Sequence, residues 1–521
     1  RLWHAIEMIF WKNRAKISVL LIISVTIFFR FYDLSWRPMH GDEAINAYKL
    51  SDLVKTGKFD YDPNDHHGPV FFYLGYLISI IFNLSTINSF DEIFLRSIIS
   101  FASIFIMVAI YPLRRFLEKE IFYTSLIILC ISPTLFYFSR YFIHETLMLL
   151  FSISTIVFGF KYFKSRKIIW LNISSVSIGL MLSTKETWPI FIFAMLISSF
   201  IIIKQDQLKL NLSAKKSLRA FAIIFLTCFL FYSDFLRDIK NSTDFFSSFK
   251  IYLERGSFEQ IHNHPWYYYL KIFYPFDNWS HIGEGILFLI FIFSYLLLIK
   301  NNKSIILRFL FWYTVVLLIL FSVIPYKTPW NMISIIPGMI IVSSATIFFT
   351  FKKLKQPKLR FIFHFFIFSL LALQTYSYNW KNESHFTNPY VYAHPTRDVF
   401  HINKIVNEIS RLNYENISLS IFVIAKEHDY WPLPWYLRSF KNVGYWDNIP
   451  KSIKSASIIL ASPDFEDDLV DKFYANNASG ESILLIPLFE TNLYLRPELQ
   501  INGYIRKDIL DYYYQSIPNE L

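Results

Sequence analysis

Only two cysteines, Cys130 and Cys228, occur in the 521 residues, and both fall within long apolar runs. The chain therefore has no disulfide framework or cysteine metal site to offer, and thiol redox chemistry is not expected. Glycine is also scarce, at 13 residues, and no glycine-rich phosphate loop occurs, which argues against a nucleotide domain. Charge gathers at the ends of the apolar runs, whose interiors hold only His364 and a few Asn and Ser. Coupled transporters carry ionisable groups near the membrane midplane, so that signature is missing. No internal repeat or low-complexity segment stands out.

What the chain does have is apolar surface. With 54% hydrophobic and 20% aromatic residues, it exceeds what one soluble core needs and reads as an integral membrane protein. Apolar windows lie near 16–32, 95–113, 121–138, 146–160, 168–183, 188–203, 218–233, 285–299, 305–324, 331–350 and 361–378, about eleven spans at the length a bilayer requires. The first window follows Lys12, Arg14 and Lys16 without a small-residue cleavage site, so it reads as an uncleaved anchor.

The stretch 69–86 reads as a helix lying at the interface. If it does not cross, one membrane side collects Lys12, Arg14 and Lys16, Arg114, Arg115 and Lys119, Lys161 to Lys167, Lys204 to Lys216, Lys300 and Lys303, and Lys352 to Lys358. That bias makes this side, and the N-terminus, cytoplasmic. The net charge of +11 then comes mostly from turns facing anionic lipid, and no nucleic-acid partner is expected.

The outer side receives the first loop 33–94, the long loop 234–284 and everything after about 380. It also holds the unusual polar residues: Asp42 and Glu43, Asp65, His66 and His67, Arg140, His144 and Glu145, Lys185 and Glu186, His262 and His264, and Tyr326 and Lys327. Carboxylates beside hydrocarbon are expensive unless they line a polar cavity, where one can act as a general base. The alternatives stand beside this reading. Asp42 and Glu43 could cap a helix beginning near Ala44, Glu145 could simply open a span, and Arg140, Lys185 and Lys327 could snorkel to headgroups. The pairs His66/His67 and His262/His264 have spacings seen in metal ligands, which leaves a divalent metal open, against hydrogen bonding to a loop or a phosphate; no cofactor is required. Trp266 to Tyr269 reads first as an interfacial aromatic belt.

After about residue 380 the pattern turns to short alternating runs. Strands are expected within 417–425, 456–462 and 482–495, with helix-forming stretches such as 464–476 between them. The division expected is a transmembrane domain over 1–380 and a small extracytoplasmic α/β domain over 381–521.

Several motifs resemble a known family. His40-Gly41-Asp42-Glu43-Ala44, Tyr61-Asp62-Pro63 with His67-Gly68-Pro69, Ser139 to Glu145, Lys185-Glu186, His264-Pro265-Trp266-Tyr267-Tyr268, Tyr326 to Trp330 and Trp431 to Tyr436 look like the flippase-activity-associated proteins of archaeal N-glycosylation clusters. These resemble the wider GT-C glycosyltransferases, which include protein O-mannosyltransferases and lipid A aminoarabinose transferases. The resemblance runs from about 37 to 438 and leaves the last 80 residues uncovered.

It implies a mostly α, polytopic GT-C fold in the plasma membrane. It also implies an enzyme moving a monosaccharide from a polyprenyl- or dolichyl-phosphate donor to a hydroxyl of a glycan, lipid or protein acceptor on the outer face. Asp42 matches the base position, with Glu43 and Glu145 orienting acceptor or base. Arg140, Lys185 and Lys327 are candidates to meet the phosphate charge, with Glu186, Tyr326, His67 and His264 at the substrate. The rival reading is a non-catalytic partner or subunit of a lipid-linked oligosaccharide flippase.

Overall fold

The computed structural model describes residues 2–208, 213–258, 262–274, 282–411, 419–475 and 483–516. The chain is mostly helical and divides into two compact units, residues 1–34, 49–86 and 91–381 in one, and 35–48, 87–90 and 382–521 in the other.

The first unit is a helical membrane body. Its helices are α1 (Leu2–Phe31), α2 (Gly41–Thr56, from Lys49 on), α3 (Val70–Ile81), α4 (Glu92–Ile110), α5 (Lys119–Ile131), α6 (Pro133–Phe138), α7 (Glu145–Ser165), α8 (Ile168–Leu182), α9 (Trp188–Asp206), α10 (Ala214–Tyr232), α11 (Asn241–Phe258), α12 (Tyr268–Phe273), α13 (Gly283–Leu297), α14 (Ile305–Val323), α15 (Ile336–Lys353) and α16 (Pro357–Tyr376). Every apolar window of the sequence is helical here. This follows from hydrocarbon, where each backbone N–H and C=O must be satisfied within the segment.

Among the described residues, five helical segments are long and apolar enough to cross a membrane: Glu92–Arg115, Glu145–Ser165, Trp188–Asp206, Ile305–Val323 and Pro357–Lys381. Shorter apolar helices cover Ile17–Phe31, Val70–Ile81, Ile168–Leu182 and Gly283–Leu297. The chain is a multi-pass membrane protein. Its outward faces agree: Phe193, Leu196 and Phe200, one stripe of α9, are each more than half exposed, as residues facing lipid should be.

Two departures from the expected windows have local causes. The window 121–138 breaks at Ser132-Pro133, because proline lacks the N–H that would continue α5. The broken end is bound by Glu284 of α13, which is 2% exposed; its carboxylate accepts Ser132 Oγ at 2.5 Å, Thr134 Oγ1 at 2.5 Å and Thr134 N at 3.2 Å. Window 331–350 starts as a 3-10 turn over Pro329–Ser334 before α15.

The C-terminal end of α1 is likewise held by side chains. Arg96 Nη1 donates to Leu34 O at 2.7 Å, while Arg140 Nη2 donates to Tyr32 O at 2.6 Å and Asp33 O at 2.7 Å. Cations suit the carbonyl end of a helix, whose last C=O groups lack intrahelical partners.

The second unit carries a six-stranded sheet: β1 (Ile421–Ile424), β2 (Val443–Trp446), β3 (Ile458–Ala461), β4 (Leu485–Pro487), β5 (Leu493–Arg496) and β6 (Leu499–Arg506). The order is β2-β1-β3-β6-β4, with β5 also on β6. β2 and β3 run parallel to β1, in register Ile421↔Val443 and Ile421↔Ile458, and β6 is antiparallel to its neighbours. Phe422, Ile424, Ile459 and Ala461 pack one face against Phe465, Leu469 and Phe473. β2 and β6 were not anticipated from sequence, and the ends of the expected segments at 417–418, 476 and 482 lie outside the described residues.

Candidate functional site

In the first unit the polar residues gather where the first loop meets the turn after α8. The two backbones touch: Val70 N donates to Ser183 O at 3.0 Å, and a Cβ on Gly68 would lie 2.4 Å from that same oxygen. Glycine is required here for close approach. The clasp sets His67 beside the turn residues Lys185 and Glu186.

His67 Nδ1 lies 2.8 Å from Glu186 Oε2; the imidazole is 41% exposed and the carboxylate 7%. Burial alone would raise the Glu186 carboxyl, but the charge and hydrogen bond of His67, with Lys185 behind them, hold it below the ordinary carboxylate range. Glu186 is thus ionised and accepts from Nδ1–H. Lys185 Nζ pairs with Glu145 Oε1, and both groups are nearly buried. His144 stacks on Phe71 at 4.0 Å and meets the His67 ring edge-on at 4.9 Å. Burial first, then the charges of His67 and Lys185, push its pKa well down, so it stays neutral. Lys49 pairs with Asp65 at 2.9 Å, and His66 packs among Phe59, Tyr61 and Phe72, its pKa lowered by burial and by Lys49.

The other sequence candidates of this unit hold backbone. Arg140 binds the end of α1 as described and lies over Phe136 and Trp380. Lys327 is 1% exposed and donates to Ile324 O at 2.5 Å, His264 O at 3.0 Å and Pro325 O at 3.4 Å. With the Asn263↔Tyr326 bridge, it ties the segment 262–264 to the turn after α14. His264 stacks on Tyr268 at 4.3 Å, and His262 meets Tyr326 at 4.8 Å. Among the described residues no group of three or more His, Cys, Asp or Glu side chains is placed to hold a metal ion.

In the second unit, the start of α2 carries the acidic pair, and the two carboxylates differ in kind. Glu43 is fully buried and its Oε2 accepts His40 N at 3.1 Å, the back-reaching half of a capping box. The Asp42 side chain is 50% exposed, with His40 Nδ1 3.9 Å away. His40 accepts Asp42 N at Nδ1, 3.0 Å, and so donates from Nε2 to Tyr392 O at 2.9 Å. Its ring lies 4.8 Å from His394. The helix start is framed further by Tyr436, whose OH accepts Met39 N at 2.8 Å, and by Trp431, which a Cβ on Gly41 would meet at 3.5 Å. Glu43 therefore fixes the turn, while the Asp42 carboxylate stays half exposed.

Sequence reasoning missed Lys49, Tyr392 and His394 as members of these clusters, and Glu284 at the broken end of α5. His394-Pro395 offered a signal, a histidine in a polar turn; Glu284, one residue before an apolar window, offered almost none.

The profile of the family described as dolichyl-phosphate-mannose-protein mannosyltransferase matches residues 66–232, which include the Gly68 clasp, Glu145 and the Lys185-Glu186 turn. No curated protein gives a sequence match to the chain. Among solved structures, ArnT from Cupriavidus metallidurans in the apo state is similar, with a TM-score of 0.64 and 12% identity over 93% of this chain and 97% of that one. The same protein bound to undecaprenyl phosphate gives a TM-score of 0.62, again with 12% identity over 93% and 97%. The archaeal oligosaccharyltransferase AglB from Archaeoglobus fulgidus, in complex with an inhibitory peptide and a dolichol-phosphate, gives 0.53 and 10% identity over 88% of this chain and 70% of that one. Over 93% of its length, then, the chain has the GT-C fold shared with ArnT.

Proposed function

We propose that the protein is a membrane glycosyltransferase that takes a monosaccharide from a polyprenyl- or dolichyl-phosphate carrier to an acceptor hydroxyl on the outer membrane face. The observation that carries this reading is the fold shared over almost the full length with ArnT, one of whose structures holds undecaprenyl phosphate. The mannosyltransferase profile over 66–232 supports it. The motif resemblance, from His40-Gly41-Asp42-Glu43-Ala44 to Trp431–Tyr436, favours the flippase-activity-associated subgroup.

The chemistry is a single inverting displacement. The acceptor oxygen attacks the anomeric carbon, its proton passes to Asp42, and the bond from that carbon to the phosphate oxygen breaks with its electron pair left on the phosphate. An exposed carboxylate on a rigid helix start suits the base. A leaving lipid phosphate gains charge, which donors and cations must meet. In this reading His67 and Lys185 serve the phosphate, Glu145 and Glu186 hold them in place, and Arg140 and Lys327 act through the backbone they bind. Tyr326 and His264 complete the substrate side.

The test is transfer of radiolabelled sugar by membranes containing the protein, offered a panel of polyprenyl-phosphate monosaccharides or the matching nucleotide sugars. Transfer from a lipid donor and none from nucleotide sugars is expected. Transfer from nucleotide sugars only, or from neither, would refute the reading.

A further inference from the structure

Four helix ends border a cavity of about 350 Å³ in the membrane body: the turn after α4, the starts of α5 and α14, and the closing turns of α15. Leu117, Ile121, Leu307 and Phe349 give it an apolar wall, and Arg115, Glu118 and Ser304 are its polar groups. The helices fix its level. Glu92–Arg115 and Ile305–Val323 are long and apolar enough to cross a membrane, so a cavity that takes in Arg115 at the end of one and Ser304 just before the other lies where hydrocarbon gives way to headgroups. Arg115 is within electrostatic reach of Lys161, near the end of α7 opposite Glu145, so the cavity is remote from the cluster at the Gly68 clasp.

Arg115 is exposed and, among the described residues, makes no ion pair or hydrogen bond; Glu118 does not pair with it. Neither Glu118 nor Ser304 caps the helix it precedes, so the Ser304 hydroxyl is without a partner among these residues as well. The first-turn N–H groups of Ile121 and Leu307, both buried, are left without acceptors there. A guanidinium, a hydroxyl and two helix starts thus stand against one carboxylate. Lys119 follows Glu118, Lys303 precedes Ser304, and Lys352 and Lys353 end α15, whereas Glu120 is taken by Arg360 at 2.6 Å.

We propose that this cavity binds the headgroup of an anionic phospholipid, with the phosphate on the Arg115 guanidinium and the Ser304 hydroxyl and the glycerol backbone against Leu307 and Phe349. The ligand must be apolar at one end, anionic at the other, and resident at the membrane boundary, which a phospholipid satisfies. The planar fork of an arginine meets two phosphate oxygens at once. Glu118 shares the lining and opposes the anion, so it limits the affinity. An arginine that merely snorkels to the nearest headgroups would show neither a preferred lipid nor a dependence on Glu118.

The experiment counts lipid bound to the purified full chain in detergent by native mass spectrometry, with dioleoylphosphatidylglycerol, dioleoylphosphatidylcholine and glycerol phosphate as probes. Wild type, Arg115→Gln, Glu118→Gln and Lys358→Gln are compared; Lys358 is an exposed cation at the start of α16 that does not line the cavity. Wild type should hold a single phosphatidylglycerol about tenfold more tightly than phosphatidylcholine and bind no glycerol phosphate. Arg115→Gln should weaken phosphatidylglycerol binding about tenfold, Glu118→Gln should strengthen it, and Lys358→Gln should leave it unchanged.

Equal losses in Arg115→Gln and Lys358→Gln would mean diffuse surface charge and would overturn the inference. So would a wild type with no preference between the two lipids, or one that binds glycerol phosphate as tightly as lipid. Weaker binding in Glu118→Gln would mean that a headgroup cation meets that carboxylate, which overturns the anionic assignment. Melting temperatures without lipid show whether each variant is folded; if Arg115→Gln is not, the wild-type preference and Glu118→Gln decide. The site is independent of sugar transfer, so each of these outcomes leaves the glycosyltransferase reading as it stands.

Discussion

Replacing Gly68 with alanine adds one methyl group at the point where the first loop touches the turn after α8. That methyl would sit 2.4 Å from Ser183 O, 2.5 Å from Ser183 C and 2.8 Å from Thr184 C, all backbone atoms. No side-chain rotation can relieve this, so the two segments must part by about 1 Å to reach ordinary contact. Parting them stretches the 3.0 Å bond from Val70 N to Ser183 O and the 2.8 Å contact between His67 and Glu186. Overpacking costs about 1–3 kcal/mol and the weakened hydrogen bond about 1 kcal/mol more. A misplacement of about 1 Å at a substrate-positioning group lowers the rate by about a hundredfold.

Gly75→Ala is the control. Its methyl meets Leu50 Cδ2 at 2.8 Å and Cδ1 at 2.9 Å, the movable end of a side chain, and the gain in helix propensity of about 1 kcal/mol offsets the contact. Melting temperature in detergent and sugar transfer by membranes are the two assays. Gly68→Ala should lower both and Gly75→Ala neither. Wild-type stability and transfer in Gly68→Ala would refute the claim that this clasp positions the site.

Other outcomes follow from the same contacts. Lys185→Met leaves the nearly buried Glu145 without its cation and should cost about 3–5 kcal/mol, with Lys185→Met/Glu145→Gln recovering most of the melting temperature. Glu43→Ala should lose about 1 kcal/mol of stability through the cap on His40 N, a smaller loss of melting temperature than Lys185→Met. His144 is kept neutral in the fold, so the unfolded chain binds the extra proton below its ordinary pKa of about 6.5. Stability should be full above that value and fall as pH drops through it, by at most about 1.4 kcal/mol per pH unit, and His144→Gln should flatten the slope of melting temperature between pH 7.5 and 5.

The membrane body was legible because its signal is coarse: a span needs a long apolar run, and each such run is helical here. The break at Ser132-Pro133 was readable in principle from the proline alone. The sheet was legible only in part. The continuous apolar runs of β1 and β3 stand out, whereas β2, Val-Gly-Tyr-Trp, carries a glycine and is only half-buried, and β6, Leu-Gln-Ile-Asn-Gly-Tyr-Ile-Arg, mixes polar residues and glycine into its alternation.

In the candidate site, residue types were easier to find than roles. Asp42 and Glu43 are adjacent and chemically alike, yet one turns into the cap and the other out, which depends on where α2 starts. Arg140 looks like a free cation in sequence because the carbonyls of Tyr32 and Asp33 that it binds are far along the chain, and Lys327 because no sequence pattern shows the turn that folds it back onto Ile324 O and Pro325 O and against His264 O. The His67–Glu186 pair joins residues far apart in sequence through a backbone contact that only Gly68 permits, a tertiary fact with no local pattern.

The central claim meets its most direct test in Asp42→Asn, which keeps size and removes the base. Membranes with wild-type protein should transfer labelled sugar from a polyprenyl-phosphate donor, and Asp42→Asn should lower the rate by about 10²-fold or more at unchanged melting temperature, since this side chain is half exposed. Wild-type transfer by the Asp42→Asn protein would contradict the assignment of the base.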